Sequence, residues 1–486
     1  MSASPSEPET LENYVGGAWV RPTATGLLDV PDPSSGTLLA RVPRSGAADV
    51  DLAVVAARRA FLSWRDVPVA ERARRVLALR SLLEQHADEL ARSVVRENGK
   101  TLEEARGSVR RGIEATEFAA SAPTTMQGSF LEDVTPGVDS VLVRQPLGVV
   151  AGITPFNFPI MIPLWMAPLA LVCGNAFILK PSERVPITAT LLARLVDGAG
   201  FPAGTFNLVH GEVAAVDALL SHPGVDAVSF VGSAPTARHV YTTAAAHGKR
   251  VQALAGAKNF LVVLPDADLD RSVPAILSSA FGQAGERCLA AGVVLAVEPG
   301  ANRLVERLGR AIEQLAVGPA HEADTFVGPV IRADHRERVL RWIAEGERSG
   351  AKIAARGTAP PPGPGFFVPP ILFDHVRPEM SIAQEEIFGP VLSVIRVASL
   401  DEALEVANRS KYGNAAAIFT RDGRSAREFA RRIEAGMIGV NIGVPAPAAY
   451  FPFVGWKGSF YGDLHATGRD AIDFYTRKKV VTTRWF

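Results

Sequence analysis

"VVAGITPFNFPIMIPLWMAPLALVCGNAFILKPSER", Val149 to Arg184, sets the pattern that decides the fold. It opens as a strand, runs through a long apolar stretch from Phe158 to Leu179, and ends in the compact run AFILK. The apolar stretch is long enough to cross a bilayer. Yet it carries Pro159, Pro163 and Pro168, then Gly174 and Asn175, and no second such stretch exists. It reads instead as a helix buried between a sheet and a neighbouring layer, feeding the strand AFILK. The same rhythm continues downstream in ITATLLARLVDGAG, TFNLVHG, AAVDALLSH, AVSFVGS, ARHVYTTAAAHG and RVQALAG. Short apolar runs alternating with helical ones imply a mostly parallel sheet covered on both faces. A second series begins after Gly256 with NFLVVLPDADL and AILSSAFGQAG, and reaches AAIFTRD and GMIGVNIG. Upstream, the segments from Ala47 to Lys100 show helical spacing with charged faces. The expected class is therefore α/β, and the length suits two or three domains.

Composition narrows the function. Apolar residues make up 47% of the 486, and formal net charge is zero. That argues against a nucleic-acid binder, which usually carries a basic excess. Cys173 and Cys288 are the only cysteines, too few for a disulfide framework, so a reducing cytoplasm is the expected setting. Nine histidines without HxxxH or CxxC spacing give no metal signature. The start, MSASPSEPET, lacks the basic and apolar regions of a signal peptide and reads as a disordered beginning. Gly357 to Pro370, rich in proline and glycine, reads as a surface loop.

Five stretches carry side chains suited to chemistry. In FGQAGERCLAAG, Cys288 follows Arg287, and Gly282 and Gly285 permit tight turns. A nucleophilic cysteine must be reachable and must ionise, and a nearby cation favours the thiolate. The residues alone leave open a nucleophile and an inert buried thiol. Cys173, inside the apolar run, reads as core. In GITPFNFP, two prolines fix the backbone around Asn157, whose amide can then serve an oxyanion. Lys180 ends a strand, with Glu183 three residues on, a pair able to grip a ribose and to disfavour a 2′-phosphate. SFVGSAPTARHV places Gly232 and Ser233 at a helix start where a phosphate can sit. QEEIFGPV combines Glu385 and Glu386 with a Gly-Pro turn.

In this order, PFNFP, KPSE, FVGS, GERC and EEIFGP resemble the aldehyde dehydrogenase superfamily over essentially the whole chain. The resemblance implies a Rossmann-like NAD domain (1–125 and 149–254), an α/β catalytic domain (255–445) and a small β oligomerisation element (126–148 and 446–486). It implies that Cys288 attacks an aldehyde, that Asn157 and the Cys288 backbone N–H hold the oxyanion, and that NAD takes the hydride. Thr154, Phe156, Lys180, Glu183, Arg184, Ser233, Ala255, Glu386 and Phe388 fall at its cofactor positions. It implies a homotetramer, assembled through 126–148 and the C-terminal strand.

One departure bears on subclass. Hydrolytic members carry ELGGK, whose glutamate activates water. Here the stretch is ALAGAKN, and Leu254 stands at the glutamate position. General-base help is worth roughly 10²–10⁴ in rate, enough to choose between acceptors. A thiol acceptor needs less help, so transfer to coenzyme A is expected over hydrolysis. GAKN, GERC, NIGVPAP, RGIEATEFAA and the segment from Phe451 to Val481 are similar to the CoA-acylating methylmalonate/malonate-semialdehyde dehydrogenase branch. That branch implies oxidative decarboxylation to propionyl-CoA or acetyl-CoA, in valine or inositol breakdown. It also implies that Arg287 and an arginine of the RGIE helix, Arg111, bind the substrate carboxylate, although Arg110 adjoins it. The alternative is a hydrolytic semialdehyde dehydrogenase giving the free acid. Phe260 stands where the branch commonly has histidine.

Overall fold

The structure is a computed structural model describing residues 8–23, 26–360 and 362–486. The expectation for the chain's first seven residues lies outside that range.

The first sheet has eight strands. In spatial order they are Phe460–Tyr461, Arg250–Leu254, Ala227–Val231, Val149–Ile153, Ala176–Lys180, Phe206–Leu208, Asn13–Val15 and Ala18–Val20. The five middle strands are parallel and the strands added at both edges antiparallel. The chain leaves Val149–Ile153 in one direction, to Ala176–Lys180 and Phe206–Leu208. It then returns to place Ala227–Val231 on the other side. Such a reversal opens a crevice at the carboxyl ends of the strands, where ligands of open α/β sheets bind.

Helix Met161–Val172 fills the layer behind this sheet, with every residue buried. It packs against helix Leu102–Ala120. Gly112 makes the approach possible, because a Cβ there would overlap the Leu164 side chain. Helix Leu102–Ala120 begins at a capping box, in which Thr101 and Glu104 satisfy each other's backbone N–H. Among the described residues no helix is long and apolar enough to cross a membrane.

The second sheet has seven strands, in the order Lys352–Arg356, Ile371–Asp374, Val391–Val397, Ala291–Val297, Asn259–Val263, Ala415–Phe419 and Met437–Val440. All its pairings are parallel except that of the first two strands. Phe260 is buried in this sheet, opposite Val293 and Ala416. A third sheet joins Ser129–Thr135, Val138–Pro146 and Thr476–Arg484 antiparallel, and leaves Phe130, Leu131, Val480 and Val481 exposed.

Two features differ from the sequence reading. Five strands of two to six residues lie between Glu9 and Pro43, ahead of the first helix. Runs that short show too little alternation to be read, and two of them complete an edge that lies far away in sequence. Phe460–Tyr461, in the C-terminal segment, closes the other edge of the first sheet rather than joining the third.

Candidate active site

Cys288 lies on the connection between helix Leu269–Phe281 and strand Ala291–Val297. The chain turns there through three consecutive left-handed residues: Gln283 (φ 52°), Ala284 (φ 50°) and Gly285 (φ 74°). Gly285 is required twice over, since a Cβ would also overlap the Gly389 carbonyl oxygen. Gly282 is not left-handed (φ −54°), and its lack of a side chain makes room for the Arg287 guanidinium. Two left-handed non-glycine residues cost about 1–3 kcal/mol each, which the surroundings must offset. Glu104 accepts from Gln283 N at 2.6 Å, and Gln283 Nε2 donates to Asn157 O at 2.6 Å. Asn157 Nδ2 donates to Glu286 O at 3.0 Å. The Cys288 carbonyl oxygen accepts from Asn259 Nδ2 at 3.0 Å and from Asn414 Nδ2 at 2.9 Å. The cysteine segment is thus tied to four elements distant in sequence.

One cavity of about 330 Å³ reaches Cys288. Its wall includes Arg287, Arg111, Phe158, Trp165, Leu289 and Phe453. Arg111 reaches it from helix Leu102–Ala120, held by the Pro447 carbonyl and by Glu114 at 3.4 Å. Arg110 does not line it and pairs instead with Glu84 and Glu114. Glu104 is the one carboxylate in the described wall, and its oxygens already accept from Gln283 N and from Thr101 N and Oγ1. At the strand end where a base was missing from the sequence, Leu254 is 5% exposed, in the apolar cluster against which Cys288 packs.

The charge balance corrects one expectation. Arg287 does pull the Cys288 thiol toward ionisation, but burial and then the Glu386 carboxyl outweigh it, pushing the thiol up to about 12. The Arg287 guanidinium is drawn to the Ser278 and Ser279 carbonyls rather than offered wholly to the sulfur. Cys288 keeps partial access to the cavity, so it is reachable but held as the thiol. Cys173 is buried core, and burial lifts its thiol too, to about 12.

The other expected residues gather at the carboxyl edge of the first sheet. Thr154 and Phe156 follow Val149–Ile153, Lys180 ends its neighbour, Ser233 follows Ala227–Val231 and Ala255 follows Arg250–Leu254. Lys180 Nζ donates to Gly211 O at 2.8 Å and stands 3.6 Å from Glu183. Arg184 lies over the Phe156 ring, 5.4 Å from its centre. Ser233 starts helix Ala234–Ala246 without a side-chain cap, so the first-turn N–H groups that Pro235 leaves in place are not satisfied by it. A lysine–carboxylate pair and an uncapped helix start, on either side of the reversal, suit a dinucleotide: ribose at the first, pyrophosphate at the second. From the second sheet, Glu386 Oε1 accepts from Ala257 N at 3.0 Å, and burial pushes this carboxyl up to about 7 against the pull of Lys258. Phe388, left-handed at φ 59°, meets Phe156 edge to face at 5.8 Å.

Residues 19–481 match the sequence profile of the aldehyde dehydrogenase family. The chain belongs to that family. It is 54% identical over 481 residues to malonate-semialdehyde dehydrogenase 2 of Geobacillus thermodenitrificans, covering 99% of this chain and 100% of that one. Among solved structures, it matches the methylmalonate-semialdehyde dehydrogenase of Oceanimonas doudoroffii at 47% identity and a TM-score of 0.96, with 98% of each chain covered. A Sinorhizobium meliloti 1021 protein, provisionally named a methylmalonate-semialdehyde dehydrogenase and solved with NAD, matches at 44% identity and a TM-score of 0.97, with 99% of each covered.

For this aldehyde dehydrogenase the structure brings Cys288, Arg287 and Arg111 to one cavity. Asn157 is absent from the described wall but bonds to the Cys288 segment two residues away. Reading the sequence missed Glu104, Gln283, Asn259 and Asn414 as parts of this construction. Asn259 and Gln283 stood inside quoted motifs, and polar residues among small apolar ones were the available signal. Asn414 carried none.

Proposed function

We propose that this aldehyde dehydrogenase oxidises a carboxylated semialdehyde, methylmalonate or malonate semialdehyde, with NAD, and passes the acyl group to coenzyme A. The observation that carries this reading is the single cavity uniting a reachable cysteine with two arginines and no uncommitted carboxylate in its described wall. Arginine pairs with a carboxylate through a planar fork of donors, so Arg111 and Arg287 would orient the acid end of the substrate and aim its aldehyde at Cys288.

In this reading the Cys288 sulfur adds to the aldehyde carbon and its proton leaves to solvent. Asn157 keeps a second amide N–H beyond the one given to Glu286 O, and with the Cys288 N–H it would hold the developing oxyanion. Bound NAD would supply the hydride acceptor, gripped at its riboses by Lys180, Glu183 and Glu386 and at its phosphates by the helix start at Ser233. Thr154, Phe156, Arg184, Ala255 and Phe388 would wall that site. The aldehyde carbon becomes a thioester on Cys288. The substrate carboxylate leaves as CO2, and the electron pair left on the adjacent carbon takes a proton from solvent. The coenzyme A thiolate then displaces Cys288. With Leu254 in place of a carboxylate, water has no base, whereas a thiol ionises at about pKa 8.5 unaided.

Purified enzyme tests this directly. NADH formation from malonate semialdehyde should be sustained only when coenzyme A is present, with an acyl-CoA product, and propanal should be a poorer substrate by KM. Equal turnover without coenzyme A, giving the free acid, would establish the hydrolytic alternative.

A further inference from the structure

Glu286 stands two residues before Cys288 and is 0% exposed. Its main-chain oxygen accepts from Asn157 Nδ2, which fixes the amide proposed to meet the oxyanion. Its side chain points the other way. Oε1 accepts from Ile331 N at 3.2 Å and lies 3.4 Å from His335 Nε2, and Oε2 has no partner among the described residues. The same His335 nitrogen sits 2.7 Å from the Phe388 carbonyl oxygen. A carbonyl can only accept, so this nitrogen carries the hydrogen. Burial holds His335 down to about 4, so the ring is uncharged at neutral pH, and burial pushes the Glu286 carboxyl well above its usual range. The His335 ring also meets Phe156 and Phe388, at 6.5 Å each. One imidazole therefore touches the cysteine segment on one side and the Glu386–Phe388 segment on the other. A buried polar pair with an unpartnered oxygen costs stability, and an apolar filling would have served packing better.

We propose that Glu286 and His335 are positioning residues that hold the segment bearing Cys288 in register with the segment bearing Glu386 and Phe388. The inference rests on the reading that Cys288 attacks the aldehyde and that Glu386 and Phe388 meet the cofactor. The two segments lead into the neighbouring parallel strands Ala291–Val297 and Val391–Val397, and ahead of those strands the backbones come close where Gly285 meets Gly389. Loss of the pair should loosen the Phe388 end of the cofactor side first, because the Phe388 carbonyl loses its His335 donor while the cysteine segment keeps its bonds to Glu104, Asn259 and Asn414.

The test uses the full-length enzyme with NAD, and iodoacetamide as a probe of Cys288 without cofactor. His335→Leu should raise KM for NAD about tenfold or more while Cys288 alkylation stays within about twofold of wild type. His335→Gln, whose amide can still donate to the Phe388 carbonyl, should recover most of the loss. Glu286→Leu approaches from the other side, and the double variant with His335→Leu should be little worse than either single, as befits one shared contact. An unchanged KM for NAD in His335→Leu, no recovery in His335→Gln, or effects that multiply in the double variant would each overturn the proposal. Should His335→Leu fail to fold, His335→Gln and Glu286→Leu decide on the same terms. A wild-type enzyme that forms no NADH would instead sink the functional reading beneath it.

Discussion

Cys288 is the residue on which the chemistry converges, and its surroundings give it an unusual pH behaviour. Burial, then Glu386, push its thiol to about 12, with Arg287 pulling only partly against them. Alkylation follows the thiolate, so its rate in the cofactor-free enzyme should climb from pH 6 to 9 without levelling, less steeply around pH 7 where Glu386 ionises. Glu386 itself ionises near 7, so its negative charge opposes the thiolate only above that pH. Glu386→Gln should therefore speed alkylation at pH 8.5 and leave it unchanged near pH 6. A plateau in the wild type below pH 8, or a slower Glu386→Gln at pH 8.5, would contradict this electrostatic account. At this scale, the identity of the residues was legible and their environment was not. Cys288, Leu254 and Arg111 stand out in short motifs. What Arg287 does with its charge depends on carbonyls that the fold brings to it, and no local pattern announces them.

At the scale of elements, legibility followed length and continuity. The helix Met161–Val172 and the parallel strands beside it could be read because each is a sustained apolar run bounded by breakers. The short strand Asn13–Val15 and the pair Phe460–Tyr461 gain their place from partners far off in sequence. The three-stranded sheet carries its own consequence. Strand Thr476–Arg484 is paired along its whole length with Val138–Pro146, yet Phe130, Leu131, Val480 and Val481 remain exposed on this sheet. Exposed apolar side chains of this density mark an interaction surface, and we propose that other copies of the chain cover it to form a homotetramer. Light scattering should then give about four times the 51.6 kDa chain mass. Val480→Asp should shift the population toward smaller species. A monomer in the wild type at micromolar concentration would contradict the assignment.

The whole molecule works by bringing two sheets to one short segment. The first presents strand ends and a helix start to the cofactor. The second supplies the cysteine turn and, from a separate loop, Glu386 and Phe388. Helix Leu102–Ala120 closes the third side, with Arg111 toward the cavity and Glu104 under the turn. The family resemblance carried by the motifs in their order implied which stretches serve one site. The ties that hold them, Asn414 on Cys288 O and His335 on Phe388 O, join positions more than fifty residues apart through single bonds, and only the folded chain displays them. The central claim is that the acyl group is stored on one sulfur until a thiol collects it. Mass spectrometry of enzyme mixed with NAD and malonate semialdehyde, but no coenzyme A, measures this most directly. The account predicts about one NADH per active site and an acetyl adduct confined to Cys288, discharged when coenzyme A is added. Continuing NADH production with Cys288 unmodified would contradict it.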